Sequence, residues 1–147
     1  MHLIVYSSQV MDAGSDVTGL VRDIVASAES KNPSLSVTGV LLFENKHFLQ
    51  AIEGEETVLR ELFETIRGDE RHGEITVHVD QNVEERAFSN WSMESFNIEN
   101  AEIFSSGTID NLYAIFNRSF PMNSRNLITF IKEIVDEIDV YKIKSAI

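Results

Sequence analysis

The order in which hydrophobic periodicities follow one another along residues 1–100 constrains the fold more than any other feature of the sequence. Two segments repeat apolar residues every three or four positions, as amphipathic helices do, and five shorter segments alternate or run apolar, as strands do. The predicted strands cover 2–8, 37–43, 48–52, 75–79 and 89–98, and the predicted helices cover 15–31 and 58–66. This β-α-β-β-α-β-β order predicts an α+β, ferredoxin-like sheet with two helices on one face.

After about residue 100 the pattern becomes helical. A short amphipathic run from Ile109 to Phe116 precedes an interruption at Pro121, and apolar residues then recur every three or four positions from Leu127 to Tyr141. Such a heptad-type seam either packs on the bare face of the sheet or forms a surface for an oligomer or a partner protein. We therefore predict one domain over residues 1–100 and a C-terminal helical pair over 101–147, with a capping or signalling role.

Charge and residue usage argue against several classes of protein. The 147 residues carry a formal net charge of −12 and contain no cysteine. The acidic balance disfavours binding to nucleic-acid phosphates and to anionic membranes. The lack of cysteine excludes disulfides, thiol catalysis and cysteine-ligated zinc. No apolar run reaches membrane-spanning length and the N-terminus lacks the basic flank of a secretory signal, so we expect a cytoplasmic protein.

The usual catalytic motifs are missing from the sequence. The four histidines, at positions 2, 47, 72 and 78, show no spacing typical of a metal site. The seven glycines are scattered and form no phosphate-binding loop. Glu53, Glu55 and Glu56 surround the predicted start of the second helix, where we interpret them as carboxylates that interact favourably with the helix dipole. The sequence thus gives no support for a hydrolase, a kinase or a metalloenzyme.

Three polar side chains occupy positions that should face the interior. Tyr6 and Gln50 lie on the inward faces of the first and third predicted strands, which are neighbours in a ferredoxin-like sheet. Asn32 ends the first predicted helix on the same side. A tyrosine, a glutamine and an asparagine that converge between two helices would line a site for a planar, hydrogen-bonding ligand. The alternative is ordinary packing, with a Tyr bound to a backbone carbonyl and an Asn helix cap.

These residues lie within motifs that resemble a known family. The segments IVYSSQ, NPSLSVTGVLLF, FLQAIEGE, RGDERH and NWSM occur in this order between the N-terminus and about residue 100. Each motif alone is weakly specific, but the ordered set is similar to that of the BLUF domains, which sense blue light with a flavin. The length and the helical C-terminal segment resemble the short stand-alone members of that family.

The resemblance implies specific roles for the interior polar residues. Tyr6 would be the electron and proton donor to the photoexcited flavin. Gln50 would bridge Tyr6 and the N5/O4 edge of the flavin, and its hydrogen bonds would rearrange after illumination. Asn32 would hold the carbonyl edge of the ring. An amide suits the bridging role because it carries both a donor and an acceptor end.

The resemblance also implies further contacts to the cofactor. Ile24 and Ile66 match the positions that sandwich the isoalloxazine ring. Arg71 matches a basic position near the outer end of the flavin, and His72 beside it is a second candidate. Some members have an arginine at the position of Thr65 to meet the flavin phosphates, so the phosphate contacts of this chain depart from that pattern.

The function implied by the resemblance is that of a non-enzymatic blue-light receptor. FAD is the expected cofactor, with FMN or riboflavin as alternatives. Trp91 and Met93 match the strand that carries the signal, which would then reach a second copy of the chain or a response-regulator-type or other signalling protein. Two alternatives remain at this level: a light-inactive regulatory or dimerisation module, and a flavin oxidoreductase.

Overall fold

The computed structural model describes residues 1–11, 23, 26, 27, 30, 33–44, 47–89, 94–97, 106–117 and 123–145. It divides into two compact units, Met1–Asn97 and Ile98–Ile147. The assignment of these units to flavin binding and to signalling stays a prediction.

The first unit is built on a single five-stranded sheet. Its strands are β1 (His2–Val10), β2 (Thr38–Glu44), β3 (His47–Gly54), β4 (His72–Asn82) and β5 (Glu94–Asn97). Their spatial order is β4-β1-β3-β2-β5, in which the first four strands pair antiparallel and β5 pairs parallel to β2. The predicted α+β, ferredoxin-like fold is confirmed. β4 is longer than the predicted 75–79, and β5 is described over Glu94–Asn97, inside the predicted 89–98.

The register of the central strands fixes which polar residues meet. β1 and β3 are direct neighbours, as predicted, and Tyr6 lies opposite Gln50 in their register. On its other side β1 pairs with β4, and the register shifts between Val5 and Tyr6 and again between Ser7 and Gln9. Such irregularities re-aim side chains and are frequent beside functional sites. The pairing of Tyr6 is therefore regular on the β3 side and irregular on the β4 side.

One helix of the first unit is described along its whole length. Helix α1 spans Glu56–Arg67, buries Leu59 and Phe63, and ends at Gly68, whose N–H donates to the carbonyl of Glu64. These side chains pack on one face of the sheet together with β-strand residues, the largest of which are Ile4, Tyr6, Leu41, Phe43, Phe48 and Ile52. The second predicted helix is thus confirmed, and its apolar stripe covers the face that carries Tyr6.

The predicted first helix lies mostly outside the described residues. Residues 23, 26, 27 and 30 are helical, and a short 3₁₀ helix follows at Pro33–Leu35. Ile24 and Asn32, the two predicted flavin contacts of this segment, are not among the described residues.

The interpretation of Glu53 as a carboxylate at the start of a helix was wrong. Glu53 lies within β3 and its side chain is fully buried, because the strand continues to Gly54. Glu55 is the N-cap residue of α1 and Glu56 lies in its first turn, as that interpretation required. Only the two later carboxylates are therefore placed to interact with the helix dipole.

Gly39 allows β2 to approach β3 closely. It pairs with Ile52, has a φ of 156°, and a Cβ built on it would lie 1.9 Å from the carbonyl oxygen of Ala51. No side chain fits at that distance, so the glycine of the TGVLLF motif is required by the sheet itself.

The second unit contains helices α2 (Ser106–Phe116) and α3 (Ser124–Ser145). The Thr108 hydroxyl donates to the Glu137 carboxylate across 3.2 Å. The buried apolar side chains of this unit are Leu112, Ile115, Leu127, Phe130, Ile131, Ile134 and Val135. Both helices were expected from the sequence, whereas the role of the α3 seam stays a prediction. None of the helices within the described residues is long and apolar enough to cross a membrane.

Candidate functional site

The site is centred on a hydrogen bond between two buried polar side chains. The phenol of Tyr6 donates to the side-chain carbonyl of Gln50. Both side chains are 3% exposed and lie among apolar residues of the helix-covered face. The bond forms because the two residues are directly opposed in the β1–β3 register, with their side chains on the same face. The predicted contact between Tyr6 and Gln50 is present.

Burial keeps the Tyr6 phenol in its neutral form. Removal from water raises the pKa of Tyr6, and the negative charge of Asp69 raises it further. The ring packs against Phe63 of α1 with the centroids 5.4 Å apart and an angle of 61° between the planes. This edge-to-face geometry is the favourable one for two aromatic rings. Tyr6 is therefore a proton-bearing, oriented phenol at neutral and mildly alkaline pH.

His72 links β1 to the end of α1 beside this pair. Its Nε2 lies 2.8 Å from the carbonyl oxygen of Ile66, and its Nδ1 lies 2.8 Å from the hydroxyl of Ser8. Because a carbonyl only accepts, Nε2 carries a proton and donates to Ile66, while Nδ1 shares a hydrogen bond with the Ser8 hydroxyl. The imidazole lies 6.4 Å, centroid to centroid, from the ring of Tyr6. His72 thus holds the backbone of Ile66, a residue predicted to sandwich the flavin.

Arg71 forms an ion pair in the turn before β4. Its guanidinium donates to both carboxylate oxygens of Asp69, at 2.6 to 3.0 Å, and the Arg71 backbone N–H donates to the same group. The side-chain hydrogen bond from Arg71 lowers the pKa of Asp69, which therefore remains a carboxylate. The Arg71 carbonyl accepts from the N–H of Met11, so the turn is also tied to the end of β1. A flavin contact by Arg71 stays a prediction.

Arg67 and Ile66 occupy the last turn of α1. Ile66 is partly buried and packs against the core around Tyr6, while the Arg67 guanidinium lies 4.8 Å from the centre of the Phe63 ring. The cation over the ring is a favourable contact that orients the Arg67 side chain. Trp91 and Met93, the predicted signalling residues, lie outside the described residues.

Sequence reasoning missed three residues that take part in contacts of β1. Phe63 was recognised only as part of an apolar helix stripe, and Ser8 and His78 were given no role. His78 lies at the register shift of β4, between the partners of Val5 and Tyr6, and its Nε2 lies 2.8 Å from the hydroxyl of Ser7. Helical and strand periodicity predict burial but not which buried residues touch, so no signal in the sequence pointed to these contacts.

A second polar network lies at the other end of β1. The buried His2 imidazole donates from Nε2 to Asp80 at 2.6 Å, and Arg60 of α1 donates to both oxygens of the same carboxylate at 2.6 and 2.9 Å. These hydrogen bonds, first that of Arg60 and then that of His2, lower the pKa of Asp80 to about 2. The network joins β1, β4 and α1. No group of three or more histidine or acidic side chains in the described part of the chain could hold a metal ion.

The chemistry of the site fits the isoalloxazine ring of a flavin. A fused planar ring with a polar edge needs apolar neighbours on its faces and a few placed donors and acceptors at its edge. The Tyr6–Gln50 pair is such a polar group within an apolar cluster, and Ile66 is an aliphatic side chain beside it. The residues present therefore fit the cofactor that the sequence implies.

Comparison with known proteins identifies the family. Residues 1–94 match the BLUF family, described as "Sensors of blue-light using FAD". The blue light- and temperature-regulated antirepressor BluF of Escherichia coli K12 is 30% identical over 95 residues, which are 65% of this chain and 23% of that protein. A photoactivated adenylate cyclase subunit of Euglena longa is 38% identical over 74 residues, covering 49% of this chain and 8% of that protein. The chain spans less than a quarter of either relative.

Solved structures of short proteins match over most of their length. The photo-activated state of BlsA superimposes with a TM-score of 0.73 at 31% identity, covering 90% of this chain and 94% of that one. The dark state of the BLUF protein BlrB gives a TM-score of 0.70 at 30% identity, covering 88% and 93%. The predicted blue-light receptor function, the FAD cofactor and the non-enzymatic character of this domain are confirmed by these matches. The chain belongs to the BLUF family of blue-light sensors that use FAD.

Proposed function

We propose that this blue-light receptor works through Tyr6 and Gln50 as its photochemical pair. The observation that carries the proposal is the hydrogen bond from the Tyr6 phenol to the Gln50 carbonyl, between directly opposed residues of two central strands. Both groups are buried, so water does not compete for this bond and its electrostatic strength is high. The backbone on which both side chains stand is held by the ladders of a five-stranded sheet.

Seven residues would hold the cofactor. When bound, FAD supplies the absorption of blue light and, once excited, the capacity to accept an electron. The proposed contacts divide into aliphatic packing against the ring, polar contacts at its edge and a basic group near its outer end. In that order they are Ile24 and Ile66, then Tyr6, Asn32 and Gln50, and finally Arg71 with His72 beside it.

Tyr6 is the proposed source of both an electron and a proton. Its raised pKa keeps the phenol protonated before illumination. Its O–H points to Gln50 Oε1, so the proton leaves along that hydrogen bond. Phe63 packs on the Tyr6 ring and keeps the phenol aimed at Gln50 while its charge changes. The same two contacts support the assignment of Tyr6 as the electron donor and the route proposed for its proton.

Gln50 is the proposed switch. Its carboxamide has a carbonyl acceptor and an N–H₂ donor, so rotation or tautomerisation of the side chain exchanges the groups offered to Tyr6 and to the cofactor edge. β3 pairs with β1 on one side and with β2 on the other, which restrains its backbone. The first change is therefore in the amide and its hydrogen bonds, and only a small displacement of β3 can follow from it. For so small a change to alter the protein surface, a second element with two stable conformations must respond to it.

The output is proposed to be a protein–protein interaction. We infer that the last strand, with Trp91 and Met93, and helices α2 and α3 alter the contact with a second copy of the chain or with a signalling protein in the cytoplasm. The names of two relatives, an antirepressor and a photoactivated adenylate cyclase, show that BLUF domains are coupled to different effectors. The partner of this chain is therefore not fixed by its family.

The proposal is tested by absorption spectroscopy of the purified FAD complex. Blue light should shift the flavin absorption reversibly to the red in the wild type. Tyr6→Phe should bind FAD and lose the shift, because the phenol is both electron and proton source. Tyr113→Phe removes the same hydroxyl from a residue that is 41% exposed, and should cycle normally.

Gln50→Leu tests the switch in the same assay, with Gln81→Leu at an exposed position of β4 as its control. The leucine variant at position 50 should bind FAD without the normal shift. A normal shift in Tyr6→Phe would show that the donor is another residue, and a normal shift in Gln50→Leu would remove the amide from the mechanism. A wild type that binds no flavin would favour the regulatory module, and a yellow protein with no light response would favour an oxidoreductase.

A further inference from the structure

Glu53 is a buried carboxylate that the photochemical proposal does not use. Its side chain is fully buried, and both oxygens accept hydrogen bonds from the loop after β4. Oε1 accepts from the backbone N–H of Phe88 at 2.6 Å and from the Thr38 hydroxyl at 2.9 Å, and Oε2 accepts from the backbone N–H of Ala87 at 2.8 Å. A buried charge persists only when its lone pairs are satisfied in this way.

Arg86 strengthens the attachment of the same loop. Its Nη1 donates to the Thr38 hydroxyl at 2.8 Å and to the backbone carbonyl of Glu53 at 3.2 Å. Its Nη2 donates to the carbonyl of Ser36 at 2.8 Å, in the turn that precedes β2. Segment 86–88 is therefore bound to the beginning of β2 and the end of β3 by side chains rather than by strand pairing.

The position of Glu53 connects two parts of the proposed mechanism. It follows Gln50 by three residues on β3, so the two side chains lie on opposite faces of the sheet. On the other side of the contact, segment 86–88 leads along the chain towards β5, which begins at Glu94 and pairs with β2. Through its carboxylate, Glu53 therefore connects β3, which carries Gln50, to segment 86–88, which precedes β5 in the chain.

We propose that Glu53 is a positioning residue through which rearrangement of Gln50 releases the backbone N–H groups of Ala87 and Phe88 from β3, while the hydrogen bonds of Arg86 still hold the loop. This inference rests on the proposed function, because it takes Gln50 as the origin of the signal. In the dark the carboxylate holds the N–H groups of Ala87 and Phe88. After illumination a small displacement of β3 lengthens these contacts, and the two N–H groups exchange the carboxylate for water. In this proposal the segment has two arrangements, one bonded to the carboxylate and one bonded to water, as a switch element requires.

Backbone amide hydrogen exchange, resolved by residue, tests the proposal on the full FAD-bound chain in the dark and under blue light. The amides of Ala87 and Phe88 should be protected in the dark and exchange about tenfold or more faster in the light, because opening of a local unit sets the rate. The amide of Leu59, bonded to the carbonyl of Glu55 within α1, serves as an internal reference and should not change.

Glu53→Gln should accelerate exchange at the same two amides by about tenfold already in the dark, since a carboxamide has one acceptor oxygen and cannot accept all three hydrogen bonds. Its light-induced red shift should be retained. Glu55→Gln changes the same group two residues away, at an exposed position without a side-chain cap hydrogen bond, and should change neither exchange nor colour. Thr38→Val, which removes one donor to the carboxylate, should give a smaller acceleration and keeps the test open if Glu53→Gln does not fold.

The outcomes separate this inference from the proposed function. Equal exchange at Ala87 and Phe88 in dark and light, together with a normal red shift, would overturn the inference and leave the photochemical pair intact. Unchanged exchange in the dark in both Glu53→Gln and Thr38→Val would also overturn it. Loss of the red shift in Glu53→Gln would show that Glu53 acts on the flavin site and not downstream of it. A wild type without a red shift would instead refute the proposed function.

Discussion

The hydrogen bond between Tyr6 and Gln50 should contribute measurably to the stability of the flavin-free protein. Tyr6→Phe removes only one oxygen, so it creates no appreciable cavity but leaves the buried carbonyl of Gln50 without this donor. Gln50→Leu keeps a similar volume and leaves the buried Tyr6 hydroxyl without its acceptor. Because each group is 3% exposed, water does not replace the lost partner, and each change should cost about 1–3 kcal/mol of unfolding free energy.

The double variant distinguishes a real interaction from two independent losses. Replacing both partners with apolar groups of similar shape leaves neither end of this hydrogen bond as a buried polar group without its partner. The sum of the free-energy changes of the two single variants should therefore exceed that of the double variant by a coupling energy of about 1–3 kcal/mol. Gln50 also interacts with other groups, so Gln50→Leu should be the more costly single change.

Urea denaturation of the four flavin-free proteins measures these free energies. Removing FAD is necessary because a ligand that binds only the folded state adds its own stabilisation, which differs among variants. The m-values should be the same, since the buried area hardly changes. If the free-energy changes of the two single variants add up to that of the double variant within about 0.5 kcal/mol, Tyr6 and Gln50 behave as independent sites, and the predicted coupling is refuted.

Two further predictions concern the scaffold of the site. Gly39→Ala should lower the unfolding free energy by about 3 kcal/mol or more in urea denaturation, since a Cβ there would lie 1.9 Å from the carbonyl oxygen of Ala51. Gly107→Ala is the control. A Cβ built on Gly107 meets no atom within 4 Å, so this change should be neutral or stabilising. Arg60 lowers the pKa of Asp80 to about 2 in the folded protein, so the ionised carboxylate stabilises the fold above the unfolded-state pKa of about 4 and loses this effect as the pH falls towards 2. Asp80→Asn removes the titrating group, so the melting temperature of the variant should depend less on pH between about pH 4 and pH 2. An unchanged pH dependence in this range would contradict the assignment.

Hydrophobic periodicity was sufficient to predict the elements that carry the site. The stripe containing Leu59 and Phe63 marked α1, and the alternation around Tyr6 and Gln50 marked two strands with both polar side chains inward. Placing those strands side by side required the strand order of a ferredoxin-like sheet, which the order of elements implied. The hydrogen bond then followed from geometry, because opposed residues on paired strands share a face.

Contacts between distant segments could not be predicted in the same way. Glu53 is followed in sequence by two acidic residues at a helix start, and its neighbours along the chain gave no sign that it binds the amides of Ala87 and Phe88. His2 pairs with Asp80, 78 residues away, only because β1 and β4 lie in one register. The parallel pairing of β5 with β2 was also not foreseen, since its length and alternation fit either direction.

The sequence by itself determined the local character of this protein: which segments are strands or helices, which side chains face inward, and which family's ordered motifs they carry. These properties are local because side-chain periodicity depends only on near neighbours. The tertiary structure alone decided which other groups meet around the predicted Tyr6–Gln50 pair. It placed Phe63 and His72 beside Tyr6, and it brought the Glu53 carboxylate within hydrogen-bonding distance of the amides of Ala87 and Phe88, 34 and 35 residues away. Partners at such separations are set by strand register and by the path of loops, which no short stretch of sequence specifies.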